Sequence, residues 1–275
     1  MMRMLAAMLF ALVTASGPAG PAEKWVPMFN GKDLTGWTPK FTGSPVGENV
    51  LRTFRVEDGV LTVSYDGYDE LRGRFGHLFY ERKLSHYRIR LEYRFTGRQV
   101  AGSPSWALMN SGIMLHSESA QSMRVDQAFP VSIEAQFLGD DGTGKRTTGN
   151  LCSPGTNVVI DGKLVTEHCP QTSTVAVPPG EWTRFEVEVD GNRLIRHLVN
   201  GKVTAEYTKP QYDPTDADGK RVMGTGPLDV TEGYVALQAE SHPVQFRNVE
   251  LLVLEPAGVN VSHKDTKSTK NGTKR

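Results

Sequence analysis

Strict alternation of apolar and polar residues is the feature that most limits how this chain can fold. The segment from His86 to Phe95 reads HYRIRLEYRF, in which five apolar residues alternate with four charged ones. Successive side chains of a β-strand point to opposite faces, so this segment is predicted to be a strand with one buried face. Comparable alternation occurs in residues 54–64, 131–138, 183–189, 193–199 and 244–254. The last of these is apolar on both faces at its end, which predicts a central strand.

Residue pairs that favour tight turns separate these segments. Asp58-Gly59, Asp190-Gly191 and Asn200-Gly201 suit the positive φ angles of two-residue hairpin turns. The chain contains 28 Gly and 16 Pro, and no segment shows helical apolar spacing over three turns. We therefore predict an all-β sandwich that forms a single domain over residues 23–256. The long, turn-rich segments 140–180 and 209–232 are predicted to be binding loops or lids.

The two ends differ in composition from the middle. Residues 1–22 contain Arg3, an apolar run from Leu5 to Val13, and then small residues, which is the pattern of a cleaved secretory signal. An uncleaved anchor or a buried helix is the alternative. Residues 257–275 are polar and mostly basic, which predicts a disordered tail, either simply solvated or in contact with an anionic envelope surface. We therefore expect a secreted or periplasmic protein.

Charge and motif content exclude several classes of function. The chain has 31 basic and 31 acidic residues, and this balance disfavours sequence-independent binding to nucleic acid. The run from Leu5 to Val13 is too short to span a bilayer, so stable membrane insertion is not expected. No nucleotide-binding loop, serine nucleophile elbow or HExxH zinc motif is present. A polar face of a β-sandwich is then most readily used to bind carbohydrate.

Cys152 and Cys169 are the two cysteines of the chain. They bracket a segment rich in Pro, Gly and Asn, and in an exported protein we expect them to form a disulfide that contributes about 3 kcal/mol. Zinc binding is the alternative, but two isolated cysteines without CxxC spacing make a poor zinc site.

The segment VSIEAQFL, residues 131–138, places Glu134 and Gln136 on the same face of a predicted strand. Their side chains would lie about 6 to 7 Å apart along the strand. A carboxylate accepts hydrogen bonds and a carboxamide both donates and accepts them, so the pair suits sugar hydroxyls. Ordinary solvent exposure on an edge strand is an equally good interpretation of the pattern alone.

Two further segments carry candidate residues. In Asn110-Ser-Gly-Ile-Met-Leu-His116, Asn110 lies at the predicted strand entry and His116 on the strand, where it could act as a base near neutral pH. A lone histidine is, however, more often a hydrogen-bonded structural residue than a catalytic one. Trp106, just upstream in a loop, could stack on a sugar or cover the core.

The segment before the last predicted strand contains Gln238, Glu240 and His242, and Arg247 follows on that strand. Glu240 with His242 could form an acid/base pair or hold a divalent cation, although two ligands alone do not make a metal site. Arg247 could bind an anionic oxygen, or it could pair with a neighbouring carboxylate.

Five segments in order resemble the 3-keto-disaccharide hydrolase domain family. MFNGKDLTGW at residues 28–37 is similar to its LFNGKDLSGW start, and NSGI at residues 110–113 to its internal signature. IEAQ at residues 133–136 resembles its E-x-Q strand, and GNLCSPG at residues 149–155 the loop of a Cys-containing subgroup. LQAESHPVQFRN at residues 237–248 is similar to its closing strand pair. The resemblance covers residues 25–255.

This resemblance implies a concanavalin A-like jelly roll, exported by bacteria that degrade glycans and active on 3-keto-glycosides. In such a substrate the C3 ketone acidifies the C2 hydrogen, so a base can remove it and the C1 substituent can leave by β-elimination. Many relatives carry Arg where this chain has His116, so no role of that Arg can be transferred. Glucanases of this fold place several carboxylates on one strand, whereas here Gln136 and Leu138 follow Glu134, which disfavours ordinary two-carboxylate hydrolysis at this strand.

The resulting hypothesis is an enzyme that cleaves 3-keto-glycosides by elimination and hydration. Glu134 or His116 would be the base, and Arg247 or a cation near Glu240 and His242 would stabilise the enolate. Asn110, Gln136 and Gln238 would orient hydroxyls, and Trp106 would stack on a sugar ring. A non-catalytic carbohydrate-binding module and a conventional glycoside hydrolase with carboxylates drawn from loops such as Asp140-Asp141 are the alternatives.

Overall fold

The computed structural model describes residues 24–255, and most regular elements within them are strands. The strands are β1 (Val26–Pro27), β2 (Trp37–Phe41), β3 (Phe54–Glu57), β4 (Val60–Val63), β5 (Gly76–Tyr80), β6 (His86–Phe95), β7 (Asn110–Ser117), β8 (Ile133–Leu138), β9 (Leu151–Cys152), β10 (Thr156–Ile160), β11 (Lys163–Val165), β12 (Thr183–Asp190), β13 (Leu194–Val199), β14 (Lys202–Tyr212), β15 (Tyr234–Ala239) and β16 (Val244–Val253). One α-helix, α1 (Ala217–Met223), and 3-10 turns at Val50–Arg52 and Ser105–Ala107 complete the described elements. The predicted signal segment and basic tail lie outside the described residues.

The strands form two antiparallel sheets. The larger has ten strands in the order β11-β10-β14-β13-β12-β6-β16-β4-β3, with β1 paired to β16. The smaller has six strands in the order β2-β5-β15-β7-β8-β9. Sequence neighbours such as β15 and β16 lie in different sheets, so the chain crosses between layers repeatedly, as expected for a jelly roll of the concanavalin A-like class.

Aromatic side chains from both sheets pack between the layers. Phe137 of β8 stacks on Tyr93 of β6, with ring centroids 4.4 Å apart and planes 9° apart, and it meets Phe185 of β12 edge-on at 4.6 Å. All three side chains are almost completely buried. Because each layer presents its alternate residues to this core, the other residues of the six-stranded sheet point outward.

The predicted all-β sandwich is confirmed, and several predicted strands have nearly the expected bounds. Residues 86–95 form β6 and alternate strictly between buried and partly buried positions. The hairpin around Asp58-Gly59 joins β3 to β4, and Asn200-Gly201 lies between β13 and β14. The last predicted strand, β16, is central, since it lies between β6 and β4.

Other expectations were wrong in detail. Segment 140–180 contains the short strands β9, β10 and β11, and segment 209–232 contains the end of β14 and helix α1. These strands and the helix are too short to show a recognisable apolar period in the sequence. Asn110, predicted to lie at the strand entry, is already the first residue of β7. Residues 24–255 include no helix with the length and apolarity needed to cross a membrane.

We expect Phe137→Ala to reduce the free energy of unfolding by about 3 to 5 kcal/mol, because it removes a ring at the contact between the sheets. Urea-induced equilibrium unfolding measures this change. Leu164→Ala is the matched control, since this side chain is 54% exposed and its loss should change stability by about 0.5 kcal/mol or less. Equal effects of the two substitutions would contradict this account of the core.

Candidate active site

A cavity of about 500 Å³ opens on the outer face of the six-stranded sheet. Strands β7 and β8, together with Glu240 directly after β15, supply its polar floor, and the surrounding loops supply its walls. Among its lining residues are Asn110, Glu134, Gln136, Glu240, Trp106, Phe129, Arg146 and His168. The cavity therefore combines two carboxylates, two carboxamides, a guanidinium, an imidazole and aromatic rings.

Strand alternation explains why Glu134 and Gln136 reach this cavity. Ile133, Ala135 and Phe137 point into the core, so the intervening residues of β8 point outward. Gly112 of β7 pairs with Gln136, and a Cβ atom at Gly112 would lie 2.6 Å from Oε1 of Glu134. A glycine is therefore required at this position for the Glu134 side chain to lie across β7.

Glu134 and Glu240 are 7% and 4% exposed, although both carry carboxyl groups. Burial raises the pKa of Glu134 to about 8. Burial also raises the pKa of Glu240 well above its ordinary value, the nearby Glu134 charge raises it further, and Arg146 partly opposes both effects. The pair therefore holds at least one proton at neutral pH, as adjacent carboxylates in a low-dielectric site do.

Arg146 is a site residue that the sequence analysis missed. Its Nη2 donates to the backbone oxygens of Trp106, at 3.3 Å, and of Leu108. Its buried Nε has no hydrogen-bond partner within residues 24–255. The only sequence signal was its place in a loop predicted to be functional, because an Arg in a turn-rich segment carries no spacing pattern.

Several buried polar atoms at this site have no partner among the described residues. They include Oδ1 of Asn110, Oε2 of Glu240 and both amide atoms of Gln238. Gln238 lies on the same strand face as Glu240 but is fully buried and does not line the cavity. Buried polar groups in native proteins are normally satisfied, so such a concentration at one place indicates a site that binds a hydroxyl-rich ligand or ordered water.

Trp106 lies at the rim of the cavity and is 52% exposed. Its indole stacks near Phe75, with centroids 5.7 Å apart and planes inclined by 30°, and Phe129 lies 6.4 Å away. An exposed aromatic face beside a polar cavity suits one face of a sugar ring.

The structure does not bring His116 to the cavity. Alternation from Asn110 would place it there, but β7 carries one extra residue against β15 between Met114 and Ser117, and His116 has φ of 48°. The bulge turns the ring inward, where Nε2 donates to the carbonyl oxygen of Gly191 at 3.0 Å and the ring packs edge-on against Tyr87. Burial lowers the pKa of His116 to about 4. His116 is thus a core residue, and its assignment as base is wrong.

Two other candidates are also displaced. The ring of His242 packs edge-on against Phe95 of the core, at 5.8 Å, and does not line the cavity. Arg247 lies on the outer face of the opposite sheet, where Nε donates to Glu92 at 2.8 Å and the guanidinium covers the ring of Trp182. Arg247 therefore cannot bind an oxygen in this cavity.

The described residues do not fit a divalent cation. Residues 24–255 contain no group of three His, Cys, Asp or Glu side chains placed to hold a metal ion. Glu240 reaches the cavity whereas His242 faces Phe95, so this pair does not provide two converging ligands.

The predicted disulfide between Cys152 and Cys169 is confirmed. Cys152 belongs to β9, where it pairs with Glu134 of β8, and both cysteines line the cavity. The disulfide thereby fixes the loop that carries His168 beside the carboxylates. Sequence analysis found the bond but not its role, because the pairing of β9 with β8 is not visible in so short a strand.

A smaller depression of about 250 Å³ lies on the outer face of the ten-stranded sheet. Its charged residues form ion pairs with one another or with neighbouring residues, for example Arg90 with Glu250 at 2.6 Å. The depression offers neutralised charges and no buried reactive group, so the larger cavity is the candidate active site.

The two sheets and their polar cavity define a β-sandwich of the lectin and glucanase class. The chain belongs to the family of the 3-keto-alpha-glucoside-1,2-lyase-like domain, whose model matches residues 24–252. This membership gives the protein a carbohydrate-related function. The resemblance noted in the sequence is therefore confirmed.

Solved structures agree on the fold. A protein from Parabacteroides distasonis, provisionally described as a glycosyl hydrolase, is similar with a TM-score of 0.50 and 21% identity, over 85% of this chain and 95% of the other. A second protein from the same organism, with the same provisional description, has a TM-score of 0.50 and 17% identity, over 84% of this chain and 100% of the other. No curated protein matches the chain.

Ionisation of Glu134 should make the protein less stable as pH rises. The carboxyl loses its proton above about pH 4.5 when unfolded but keeps it to about pH 8 when folded, so the stabilisation present at low pH is lost between these values. From pH 6 to 8 the free energy of unfolding of the wild type should fall by up to about 1.4 kcal/mol per pH unit relative to that of Glu134→Gln. Urea unfolding at pH 6, 7 and 8 measures both slopes. Glu57→Gln, at an exposed glutamate, should follow the wild type, and parallel slopes for wild type and Glu134→Gln would refute the assignment.

Proposed function

We propose that this protein cleaves the glycosidic bond of 3-keto-glycosides by β-elimination followed by hydration. Its family is described by a 3-keto-alpha-glucoside-1,2-lyase-like activity, and a 1,2-lyase breaks the C1–O bond with loss of the C2 hydrogen. The observation that carries the proposal is the buried carboxylate pair, Glu134 and Glu240, beside Arg146 in one cavity.

The proposed reaction needs a base and a stabilised enolate. The base removes the C2 proton, which the C3 ketone acidifies, and the electron pair of the C–H bond passes to the C3 oxygen. The C3 carbonyl then reforms as a C1=C2 double bond is made and the C1–O bond breaks, which expels the aglycone. Water adds across C1=C2 and gives the free 3-keto sugar.

Glu134 suits the role of base. A carboxyl whose pKa is about 8 is a stronger base than an ordinary carboxylate and is still partly ionised at neutral pH. Its position on β8, a regular strand that pairs with β7 and β9, fixes the direction of the carboxylate. Activity that depends on ionised Glu134 should rise as the pH approaches 8.

Glu240 and Arg146 suit stabilisation of the enolate oxygen. Glu240 keeps its proton when Glu134 is ionised, because burial and the neighbouring charge both favour its neutral form. A neutral carboxylic acid can donate a hydrogen bond to a developing oxyanion in a dry site. The Arg146 guanidinium adds a positive charge that needs no reorganisation during the reaction. Asn110 and Gln136 are placed to bind hydroxyls, and Trp106 to stack on the ring.

One observation favours a second candidate, a conventional glycoside hydrolase. Strand β8 alone carries a single carboxylate, but Glu240, directly after β15, brings a second one to the cavity. Two carboxylates can act as acid and base or acid and nucleophile on an unoxidised glycoside. The substrate therefore distinguishes the two candidates.

We expect the purified protein to release 4-nitrophenol from a 4-nitrophenyl 3-keto-glucoside and not from the unoxidised 4-nitrophenyl glucoside. Glu134→Gln should reduce kcat/KM on the keto substrate by about 10²- to 10⁴-fold, because it removes the base. Absorbance of the released phenolate, with and without a chelator, measures both rates.

Glu57→Gln serves as the control and should retain full activity. Equal rates for wild type and Glu134→Gln would refute the assignment of the base. Cleavage of the unoxidised glucoside alone would favour the conventional hydrolase, and glycan binding by calorimetry without turnover would favour a binding module.

We also propose that the protein is exported, because residues 1–22 have the pattern of a cleaved signal. When the full chain is expressed in a Gram-negative host, the mature protein should be found in the periplasm or the medium, and N-terminal sequencing should place its start near residue 23. A variant that lacks residues 2–22 should remain in the cytoplasm. Recovery of the uncleaved full chain from the cytoplasm would contradict the proposal.

A further inference from the structure

A depression of about 290 Å³, distinct from the one on the ten-stranded sheet, adjoins the active-site cavity. The two share three lining residues, Phe129, Pro154 and His168. We call the cavity with Glu134 and Glu240 the inner chamber and the adjoining depression of about 290 Å³ the outer chamber. His168 thus lies on the boundary between the chambers.

The two chambers differ in their chemistry. The inner chamber holds the groups that act on C2 and on the C3 oxygen, namely Glu134, Glu240 and Arg146. The outer chamber is lined by polar side chains, among them Arg124, Gln127 and Asp216, and by neither of these glutamates. For a glycoside whose 3-keto ring occupies the inner chamber, the outer chamber is an adjoining polar space that can receive the aglycone, and the C1–O bond would then lie near the boundary.

The chain holds His168 at this boundary. Its carbonyl oxygen accepts a hydrogen bond from the Ser153 backbone N–H at 2.8 Å, and the next residue, Cys169, is bonded to Cys152. Cys152 pairs in turn with Glu134, so His168 and the proposed base are linked through one strand pair and one disulfide. No residue within 24–255 hydrogen-bonds to the His168 ring nitrogens, and the residue is exposed, so the ring is accessible to a substrate and to water.

The proposed elimination leaves one proton transfer without a donor. Glu134 has taken the C2 proton, and Glu240 donates a hydrogen bond to the enolate oxygen. The expelled O1 also needs a proton, and neither glutamate supplies it. A histidine can donate and accept protons near neutral pH. His168 is also the one histidine, among the described residues, that lines either chamber.

We propose, on the basis of the function proposed above, that His168 is the catalytic acid that protonates the leaving oxygen. The C1–O electron pair remains on O1, which takes the proton of the imidazolium and departs as the alcohol. In the hydration step the neutral imidazole takes a proton from the water that attacks C1, and Glu134 returns its proton to C2. Both side chains regain their starting protonation, and the sum is one glycoside and one water converted to one alcohol and one 3-keto sugar.

The test uses 3-keto-glucosides with 4-nitrophenyl, phenyl and methyl aglycones, which leave with decreasing ease. A poor leaving group needs protonation, whereas 4-nitrophenolate leaves unaided. His168→Gln should therefore lose about 10²-fold or more in kcat on the methyl glycoside and about threefold or less on the 4-nitrophenyl glycoside. Glu167→Gln, at the neighbouring exposed position, should match the wild type on all three, and mass spectrometry should show the disulfide intact in both variants.

A uniform loss across the three aglycones would show that His168 only positions the substrate, and unchanged rates would show that it has no role. Either result would overturn the proposal while the wild type still cleaves the substrates. If the wild type cleaves none of the three, the proposed function itself fails and this role fails with it.

Discussion

Burial of both faces of the six-stranded sheet is the constraint on which the site depends. The inner face packs on the ten-stranded sheet through aromatic residues such as Phe137. The outer face is covered by loops, since Phe129 meets His77 and the Val125 carbonyl accepts a hydrogen bond from Lys40. Outward-pointing polar residues therefore lie in a medium of low dielectric rather than in water, and this shifts the pKa values of Glu134 and Glu240.

Such a site costs stability, and the surrounding structure must offset that cost. Each buried polar atom without a partner costs roughly 1 to 3 kcal/mol, and among the described residues Asn110 and Glu240 each contain one and Gln238 contains two. The aromatic core between the sheets and the disulfide beside Glu134 stabilise the same region. A substrate whose hydroxyls reach the cavity-lining atoms of Asn110 and Glu240 would recover the hydrogen bonds lost there, so the site gains affinity from groups that weaken the free protein.

Sequence periodicity predicted the site only where the strands are regular. Glu134 and Gln136 share a face as expected, because β8 has no bulge within its pairing to β7. The same reasoning failed at His116, where an extra residue with positive φ reverses the alternation, and a similar bulge at Asn248 brings Val249 and Leu251 into the core. No turn pair such as Asp-Gly marks the positive φ of His116 or Asn248 within its strand, so these bulges are not visible in the alternation. Contributions from irregular loops, such as Arg146, have no period at all.

The buried histidines of the core show why a buried carboxyl group, and not a buried imidazole, carries a proton at neutral pH in this fold. Burial lowers the pKa of His77 to about 3 and those of His116 and His197 to about 4, so these rings are neutral at physiological pH. The same burial has the opposite effect on a carboxyl group, because in each case the charged form is disfavoured. At neutral pH the buried imidazoles are therefore unprotonated, whereas the Glu240 carboxyl keeps its proton. His168 differs from these histidines in its surroundings, because it lies at an exposed loop position rather than on a buried strand.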